Sequence, residues 1–327
     1  MNEIYYLMEH GTLRKKDGTI QFDDGRQARL LPVERVKELH VFGEIDVSKK
    51  CLELLGRKGI IVHWYSFYGR YVGSYHPSER SSSGTMTLLQ SRFYEDMALR
   101  TTISHAIIEA SYKQMIRLLK EHAHRLHPRR LLEFERAFQL EKGTPPELFL
   151  QEAALRQRYY RLLDDLFRVT PLRFEKRTRR PPGNEVNALM SFANTMLYQL
   201  VLSELMTSKL DPGIGFLHAT NDRQYSLQLD LAELFKPYLV DGFIFKLIQQ
   251  KTLQKEDFEW HESACYLNPL GRKKFLHLWR EQFKQTVYHN QLKRYVPYRE
   301  LIRLEIYALQ QHFNGKAYQP LTGFEWP

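Results

Sequence analysis

The stretch YHPSERSSSGT, residues 75–85, divides this sequence of 327 residues into two parts with different patterns. It combines a proline, a glycine and a serine triplet, which is typical of a linker between folded segments. Before it lie short runs of β-branched and aromatic residues separated by turn dipeptides; after it lie long segments with helical spacing. We therefore predict a multidomain α+β protein, with a small β-rich domain at residues 1–75, a linker at residues 76–85 and a larger all-α domain at residues 86–327.

The composition indicates an anionic partner and a cytoplasmic location. The sequence has 48 Lys and Arg against 38 Asp and Glu, a formal net charge of +10, which favours nucleic acid or an acidic membrane surface. Cys51 and Cys265 lie outside any C-x-x-C spacing, which excludes a zinc ribbon or a disulfide framework. The amino-terminal residues do not resemble a signal peptide, and no apolar run approaches the roughly 18 residues of a membrane span. We predict a cytoplasmic protein without membrane contact.

Several common catalytic motifs are absent. The sequence contains no G-x-x-x-x-G-K-[ST], no G-x-G-x-x-G, no G-x-S-x-G and no H-E-x-x-H. Nucleotide hydrolysis, hydride transfer and serine-esterase chemistry therefore have no basis in its motifs.

The stretch GIGFLHATNDRQYSLQLDLAELFKP, residues 213–237, is a candidate metal site. Asp230 and Glu233 are three residues apart in a predicted helix, so their carboxylates lie on one face. Hard oxygen ligands suit Mg²⁺ or Mn²⁺, and the imidazole of His218 in the preceding bent segment shifts the preference toward Mn²⁺. The alternative is that the two acids cap the helix and that the histidine is a hydrogen-bonded core residue.

A remote third ligand is needed, and Glu152 in PPELFLQEAALRQRYYRLL is a candidate for it. Apolar and aromatic residues recur at helical spacing around it, so Glu152 can lie beside the buried stripe of its helix. The alternative is an ordinary exposed glutamate in a charged helix.

Two basic stretches predict contacts with phosphate groups. RVTPLRFEKRTRRPPGN is either a phosphate-binding loop or a solvated linker. GRKKFLHLWREQFKQ places three cations in the opening turn of a helix, where they oppose the helix dipole and are better explained by an anionic partner. The predicted DNA-binding residues in these stretches are Arg173, Lys176, Arg177, Arg179, Arg180, Arg272, Lys273 and Lys274.

The motifs resemble those of a known family, the CRISPR-associated spacer-acquisition endonuclease and integrase that is the first of the Cas proteins. LDPGIGFLH followed by YSLQLDLAELFKP resembles its Gly-Phe-Leu-His turn and the Ser-Leu-x-x-Asp-Leu-x-Glu-x-Phe-Lys-Pro helix. NALMSFANTMLY at residues 187–198 resembles a second family motif, and QEAALRQRYY a third, with Ala153 where glycine is common. The resemblance covers nearly the whole chain and points toward a type I-B-like system.

The resemblance also implies the site residues. Glu152, His218 and Glu233 match the ligands of a catalytic divalent metal, Mg²⁺ or Mn²⁺. Asp230 matches an acidic position beside the metal, as an additional ligand or a supporting acid. Lys236 matches a basic position near the metal and is a candidate DNA contact.

The implied reaction is insertion of new spacer DNA into a CRISPR array by transesterification, in which a 3′-hydroxyl attacks a phosphodiester of the repeat. The implied partners are double-stranded DNA, both spacer precursor and repeat, a second copy of the chain bound through the β-rich domain, and the second Cas protein, Cas two. Two alternatives remain open: a metal-dependent DNA nuclease, a hydrolase of ester bonds, without an integrase role, and a non-catalytic basic scaffold that binds nucleic acid.

Overall fold

The computed structural model describes residues 3–77, 83–136, 143–168, 170–172, 174–220 and 225–326. The chain divides into two compact units. One consists of Met1–Ser81 with Phe275–Arg280, and the other of Ser82–Lys274 with Glu281–Pro327. Residues 78–82 of the predicted linker lie outside the described residues.

The described amino-terminal residues form two small sheets and one helix. The strands are β1 (Glu3–Leu7), β2 (Gly11–Lys16), β3 (Thr19–Asp23), β4 (Ala28–Leu31), β5 (Val36–Val41), β6 (Ile45–Val47), β7 (Ile61–Tyr65) and β8 (Tyr71–Tyr75), and the helix is α1 (Lys49–Arg57). One sheet has the order β1-β5-β7-β8 and the other the order β4-β3-β2-β6. The prediction of a β-rich amino-terminal region is confirmed.

The core of this unit is formed by side chains from both sheets and from α1. Ser48 caps the helix by accepting a hydrogen bond from the backbone N–H of Cys51 at 3.3 Å. Leu54 and Leu55 on the helix then join the same buried cluster as Leu39 of β5. Residues of β5 alternate between the two faces of its sheet, so the residues on either side of Leu39 point away from this core.

The rest of the chain is mainly helical. Its helices are α2 (Gly84–Glu95), α3 (Met97–Glu121), α4 (Pro128–Arg136), α5 (Pro145–Phe167), α6 (Glu185–Met206), α7 (Ser226–Phe235), α8 (Phe243–Gln249), α9 (Pro269–Gln282) and α10 (Tyr298–Phe313), with a π-helical turn at Lys236–Gly242. Helices α2 and α3 are separate because Asp96 ends α2 and its carboxylate caps α3. No described helix is both long and apolar enough for a membrane span.

The expectation of a purely helical second domain is wrong. Two antiparallel hairpins are also present: β9 (Phe258–His261) with β10 (Ala264–Leu267), and β11 (Thr286–His289) with β12 (Arg294–Pro297). Helix α9 ends at Gln282, and the residues from Thr286 to His289 pair as β11. Strands of four residues are too short to produce a clear alternating pattern.

The centre of the helical part positions the candidate site. Helix α6 is buried on nearly all sides, as expected for a helix that is apolar all round. Helix α7 and the π-helical turn contact α3 and α6, and α3 also contacts α5. The helices that carry Glu152 and Glu233 are thereby held against a common neighbour.

Candidate active site

The turn that carries His218 is fixed by one buried carboxylate. Asp230 is fully buried in α7. Its Oδ2 accepts hydrogen bonds from the backbone N–H groups of Phe216 and Leu217, and its Oδ1 accepts one from the backbone N–H of His218 at 2.8 Å. A carboxylate that accepts several backbone N–H groups is a strong local anchor. Asp230 therefore shapes the turn.

The first residue of α7 makes a second attachment. The hydroxyl of Ser226 accepts a hydrogen bond from the backbone N–H of Gly215 at 2.8 Å and donates one to the carbonyl of Gly213 at 2.7 Å. A Cβ atom at Gly215 would lie 2.8 Å from the backbone carbon of Ser226. The glycine is thus required by the close approach of two backbone segments.

Helices α2 and α3 hold the turn from the other side. The side-chain amide of Gln90 donates to the carbonyl of Asp211 at 2.9 Å and accepts from its backbone N–H at 2.8 Å. Nε of Arg100 donates to the carbonyl of Phe216 at 2.8 Å. The turn is therefore held from three helices.

His218 has a defined orientation. Its Nδ1 donates to Oδ1 of Asp230 at 2.7 Å, and the side chain is 18% exposed. Burial alone would lower the pKa of His218, but the hydrogen bond and the charge of Asp230 raise it. The ring of Phe149 meets the imidazole edge-on, with 5.3 Å between centroids. With Nδ1 engaged, Nε2 is the nitrogen available to a metal or a substrate.

Glu152 and Glu233 are joined through Arg156. Glu152 is 9% exposed, so the expectation that it lies beside the buried stripe of α5 is confirmed. Nε of Arg156, one turn further along α5, donates to Glu152 at 3.2 Å, and its Nη2 donates to Oε2 of Glu233. Nζ of Lys236 donates to the other oxygen of Glu233 and lies 4.9 Å from the ring centroid of Tyr198.

These cations control the charge of Glu233. Burial alone would raise the pKa of Glu233, but Arg156, then Lys236 and His218, lower it to about 2. Burial would likewise lower the pKa of Lys236, and the neighbouring Glu233 raises it. Glu233 is therefore an anion throughout the physiological pH range.

Neither Asp230 nor Glu233 lies in the first turn of α7, so the alternative in which both act as helix caps is wrong.

The sequence-based prediction missed Arg156, Tyr159 and Asp241. Asp241 lies in the π-helical turn, is 3% exposed and accepts a hydrogen bond from the hydroxyl of Tyr159 at 3.1 Å. Burial raises the pKa of Asp241 to about 6, against the opposing effects of Arg156 and Tyr159. The available signal for Arg156 was its spacing of four residues from Glu152, which also describes many surface ion pairs.

Two of the predicted metal ligands, Glu152 and Glu233, are bridged by Arg156. The donor atoms of Glu152, His218 and Glu233 do not all lie within 4.8 Å of one another. The guanidinium of Arg156 lies between the two carboxylates. Their chemistry, two carboxylates and one imidazole, nevertheless fits Mn²⁺ or Mg²⁺. Within the described part of the chain the group that meets this distance is Glu38, His40 and His63. The sequence signal for this group was weak, because its members are three polar residues within otherwise apolar strands.

The predicted DNA contacts fall into three sets. Lys176, Arg179, Arg180 and Lys273 are exposed. Four others have internal partners: Arg177 donates to Asn187 and Ser191, Arg272 to the carbonyl of Leu267, Lys274 to Asp257 and Lys236 to Glu233. Arg173 lies outside the described residues.

The internal partners change the interpretation of the opening turn of α9. Arg272 is 3% exposed, and the buried carboxylate of Asp257 lies 2.7 Å from Nζ of Lys274. Lys274 therefore has an anionic partner inside the protein, and the buried guanidinium of Arg272 donates to the carbonyl of Leu267. Burial keeps Arg272 from contact with DNA, whereas Lys273 and the ion-paired Lys274 are exposed.

Comparisons with known proteins agree on a family. Residues 5–281 match the family model described as CRISPR associated protein Cas1. The CRISPR-associated endonuclease Cas1 of Clostridium perfringens is 36% identical over 329 residues, which cover 99% of this chain and 100% of the relative. The solved structure of a Cas1 protein from Thermotoga maritima has a TM-score of 0.85 at 34% identity and covers 99% of both chains. A casposase bound to integration product shares the fold, with a TM-score of 0.86 at 19% identity over 99% of this chain and 94% of the casposase chain.

Proposed function

The chain belongs to the family of the CRISPR-associated protein Cas1, and from this membership we propose that it is a metal-dependent DNA endonuclease and integrase that inserts spacer DNA into a CRISPR array. The observation that carries the proposal is the imidazole of His218, held by buried Asp230 next to the ion-paired Glu233. The casposase with the same fold was solved with an integration product, which supports joining of DNA as well as cutting.

We propose that Glu152, Glu233 and Nε2 of His218 hold a divalent metal ion, Mg²⁺ or Mn²⁺. Such an ion supplies Lewis-acid polarisation of the scissile phosphate. Asp230 keeps the proton on Nδ1 of His218, so that Nε2 presents its lone pair. Arg156 and Lys236 keep Glu233 ionised at neutral pH, so this carboxylate is ready to act as an anionic ligand.

The proposed reaction exchanges one phosphodiester for another. The 3′-hydroxyl of the incoming DNA loses its proton and forms a new P–O bond, while the bond to the original 3′-oxygen of the repeat breaks. That oxygen takes up a proton and leaves as a new 3′-hydroxyl of the repeat. The number of phosphodiester bonds is conserved, so no nucleoside triphosphate is consumed. When water takes the place of the hydroxyl, the same site cleaves DNA.

The proposed partners are double-stranded DNA, a second copy of this chain and the second Cas protein. Exposed Lys176, Arg179 and Arg180 lie in one segment before α6, where they would contact phosphates without reading bases. Family membership supports the proposal that two copies pair through the β-rich unit and that the second Cas protein binds them.

The test of this function is a joining assay with matched donor ends. A labelled DNA fragment with a 3′-hydroxyl should become covalently linked to a repeat-containing duplex in Mn²⁺ or Mg²⁺, and chelation should stop the reaction. A fragment that ends in a 3′-deoxy nucleotide should give no linked product. Cleavage of the duplex without linked product would instead identify a nuclease with no integrase role, and DNA binding without either product would identify a scaffold.

Replacing both Arg179 and Arg180 with alanine should weaken DNA binding in a salt-dependent manner. Each phosphate contact contributes about 0.9 to the slope of log affinity against log salt concentration, so the slope should fall by about 1.8. Binding to labelled duplex at several salt concentrations measures it. The matched control replaces Arg129 and Arg130, exposed arginines paired with acidic neighbours, and should leave the slope unchanged. Equal slopes for all three proteins would contradict the assignment.

A further inference from the structure

Polar side chains lie in a row across the β1-β5-β7-β8 sheet of the amino-terminal unit. They are on the face of this sheet opposite α1. Glu38 and His40 are two residues apart on β5 and therefore share a face. His63 on β7 is the direct partner of His40 in the parallel pairing of the two strands. Cross-strand neighbours of this kind have their side chains side by side. The sheet register thus brings one carboxylate and two imidazoles together.

These three side chains are deeply buried and converge on one another. Glu38 and His63 are 0% exposed and His40 is 3% exposed. One donor atom from each lies within 4.8 Å of the donor atoms of the other two. Nε2 of His40 is 3.3 Å from Oε2 of Glu38, and the centroids of the two imidazole rings are 4.9 Å apart. A buried carboxylate requires polar or cationic partners; His40 is one for Glu38, and a cation bound among these groups would be another.

Each imidazole is also oriented by a hydroxyl group at the same nitrogen. Nδ1 of His40 is hydrogen-bonded to the hydroxyl of Tyr65 at 2.7 Å, and Nδ1 of His63 to the hydroxyl of Ser74 on β8. Histidines that bind metals characteristically use one ring nitrogen for the metal and engage the other with a nearby polar group. Both rings are held in place by these contacts at Nδ1, so a metal ion would be coordinated by Nε2, which in His40 is the nitrogen already paired with Glu38.

We infer that Glu38, His40 and His63 form a Zn²⁺ site within the amino-terminal unit. Two imidazoles and one carboxylate are a donor set that Zn²⁺ uses in proteins. The proposed catalytic site has one imidazole and two carboxylates, a harder set that suits Mg²⁺ or Mn²⁺. The two sites thus differ in the metal that they select.

The Zn²⁺ site has a structural role. Its ligands come from two adjacent strands, so the bound ion crosslinks β5 and β7 on the face that α1 does not cover. Because the ligands are assembled by folding, Zn²⁺ binds the folded unit in preference to the unfolded chain and stabilises it. The inference is independent of the proposed integrase activity, since it requires none of the residues assigned to that reaction.

The test compares Zn²⁺ binding by full-length variants that have been stripped with chelator. The His218→Ala protein removes the imidazole of the proposed catalytic site, and a second protein adds His63→Asn to it. With Mg²⁺ in excess, His218→Ala should bind one Zn²⁺ per chain by elemental analysis, and its thermal unfolding midpoint should rise on Zn²⁺ addition. The double variant should lose both responses. Adding His105→Ala instead, which removes an exposed imidazole beside Glu109, should leave both unchanged.

X-ray absorption at the zinc edge keeps the inference testable if His63→Asn disrupts folding. Zn²⁺ bound to the His218→Ala protein should show two imidazole ligands and one carboxylate. Fewer than two imidazoles, or no Zn²⁺ bound at one equivalent per chain, would overturn the inference and leave the cluster as a buried hydrogen-bonded network. Equal Zn²⁺ binding by the single variant and by the folded double variant would overturn it as well.

Discussion

Replacing His218 with alanine is expected to reduce strand transfer by roughly 10³-fold, a loss typical of removing a group that stabilises charge in the transition state. The imidazole is held between Asp230 and Phe149 with Nε2 uncommitted. No other side chain of the turn offers a nitrogen at this position. The joining assay with a 3′-hydroxyl donor measures the effect.

DNA affinity should change little in the same variant. Exposed lysines and arginines, rather than His218, supply the positive surface, so duplex binding and its salt dependence should remain those of the unaltered protein. His105→Ala is the matched control for loss of an imidazole and should retain full activity. Undiminished linked product from the His218→Ala protein would show that the site is assigned to the wrong residue.

Replacing Asp230 with asparagine is expected to reduce both stability and activity. The carboxylate accepts four hydrogen bonds, three from backbone N–H groups and one from Nδ1 of His218. The asparagine NH₂ group would face donors instead of accepting from them. Breaking a buried charged network of this kind costs about 3–5 kcal/mol, which should appear as a lower urea midpoint at constant slope.

The activity of the Asp230→Asn protein separates positioning from stability. Below its unfolding midpoint, strand transfer should still be about 10–100-fold lower, because loss of the carboxylate releases the orientation of His218. Asp46→Asn, at an exposed position, controls for the loss of one negative charge and should change neither quantity. A folded Asp230→Asn protein with normal strand transfer would contradict the positioning role.

The local part of the candidate site was predictable because its residues are close in sequence. His218 and Asp230 are twelve residues apart, and Pro212, Gly213 and Gly215 before His218 indicate a bent segment ahead of the helix. Glu152 was a different case, since physical patterns could not separate it from other glutamates on charged helices. Only the resemblance to a family connected it with His218 and Glu233.

Burial and partners could not be predicted for the basic residues. Arg272 and Lys274 have internal partners, the carbonyl of Leu267 and the carboxylate of Asp257. Those partners are brought close by the β9–β10 hairpin and the turn before it, whose strands are too short for the sequence pattern to indicate. The Glu38, His40 and His63 cluster was missed for a related reason, because strand register is a property of pairing between distant segments.

The contacts of Gln90 and Arg100 with the turn before α7 also bear on the order of folding. Their partners lie 121 and 116 residues further along the chain, and contacts of such large separation carry a high entropic cost during folding. The turn is therefore complete only after α2 and α3 have packed against it. A nascent or partly unfolded chain cannot hold His218 in place, so the proposed cutting and joining of DNA would require the fully folded protein.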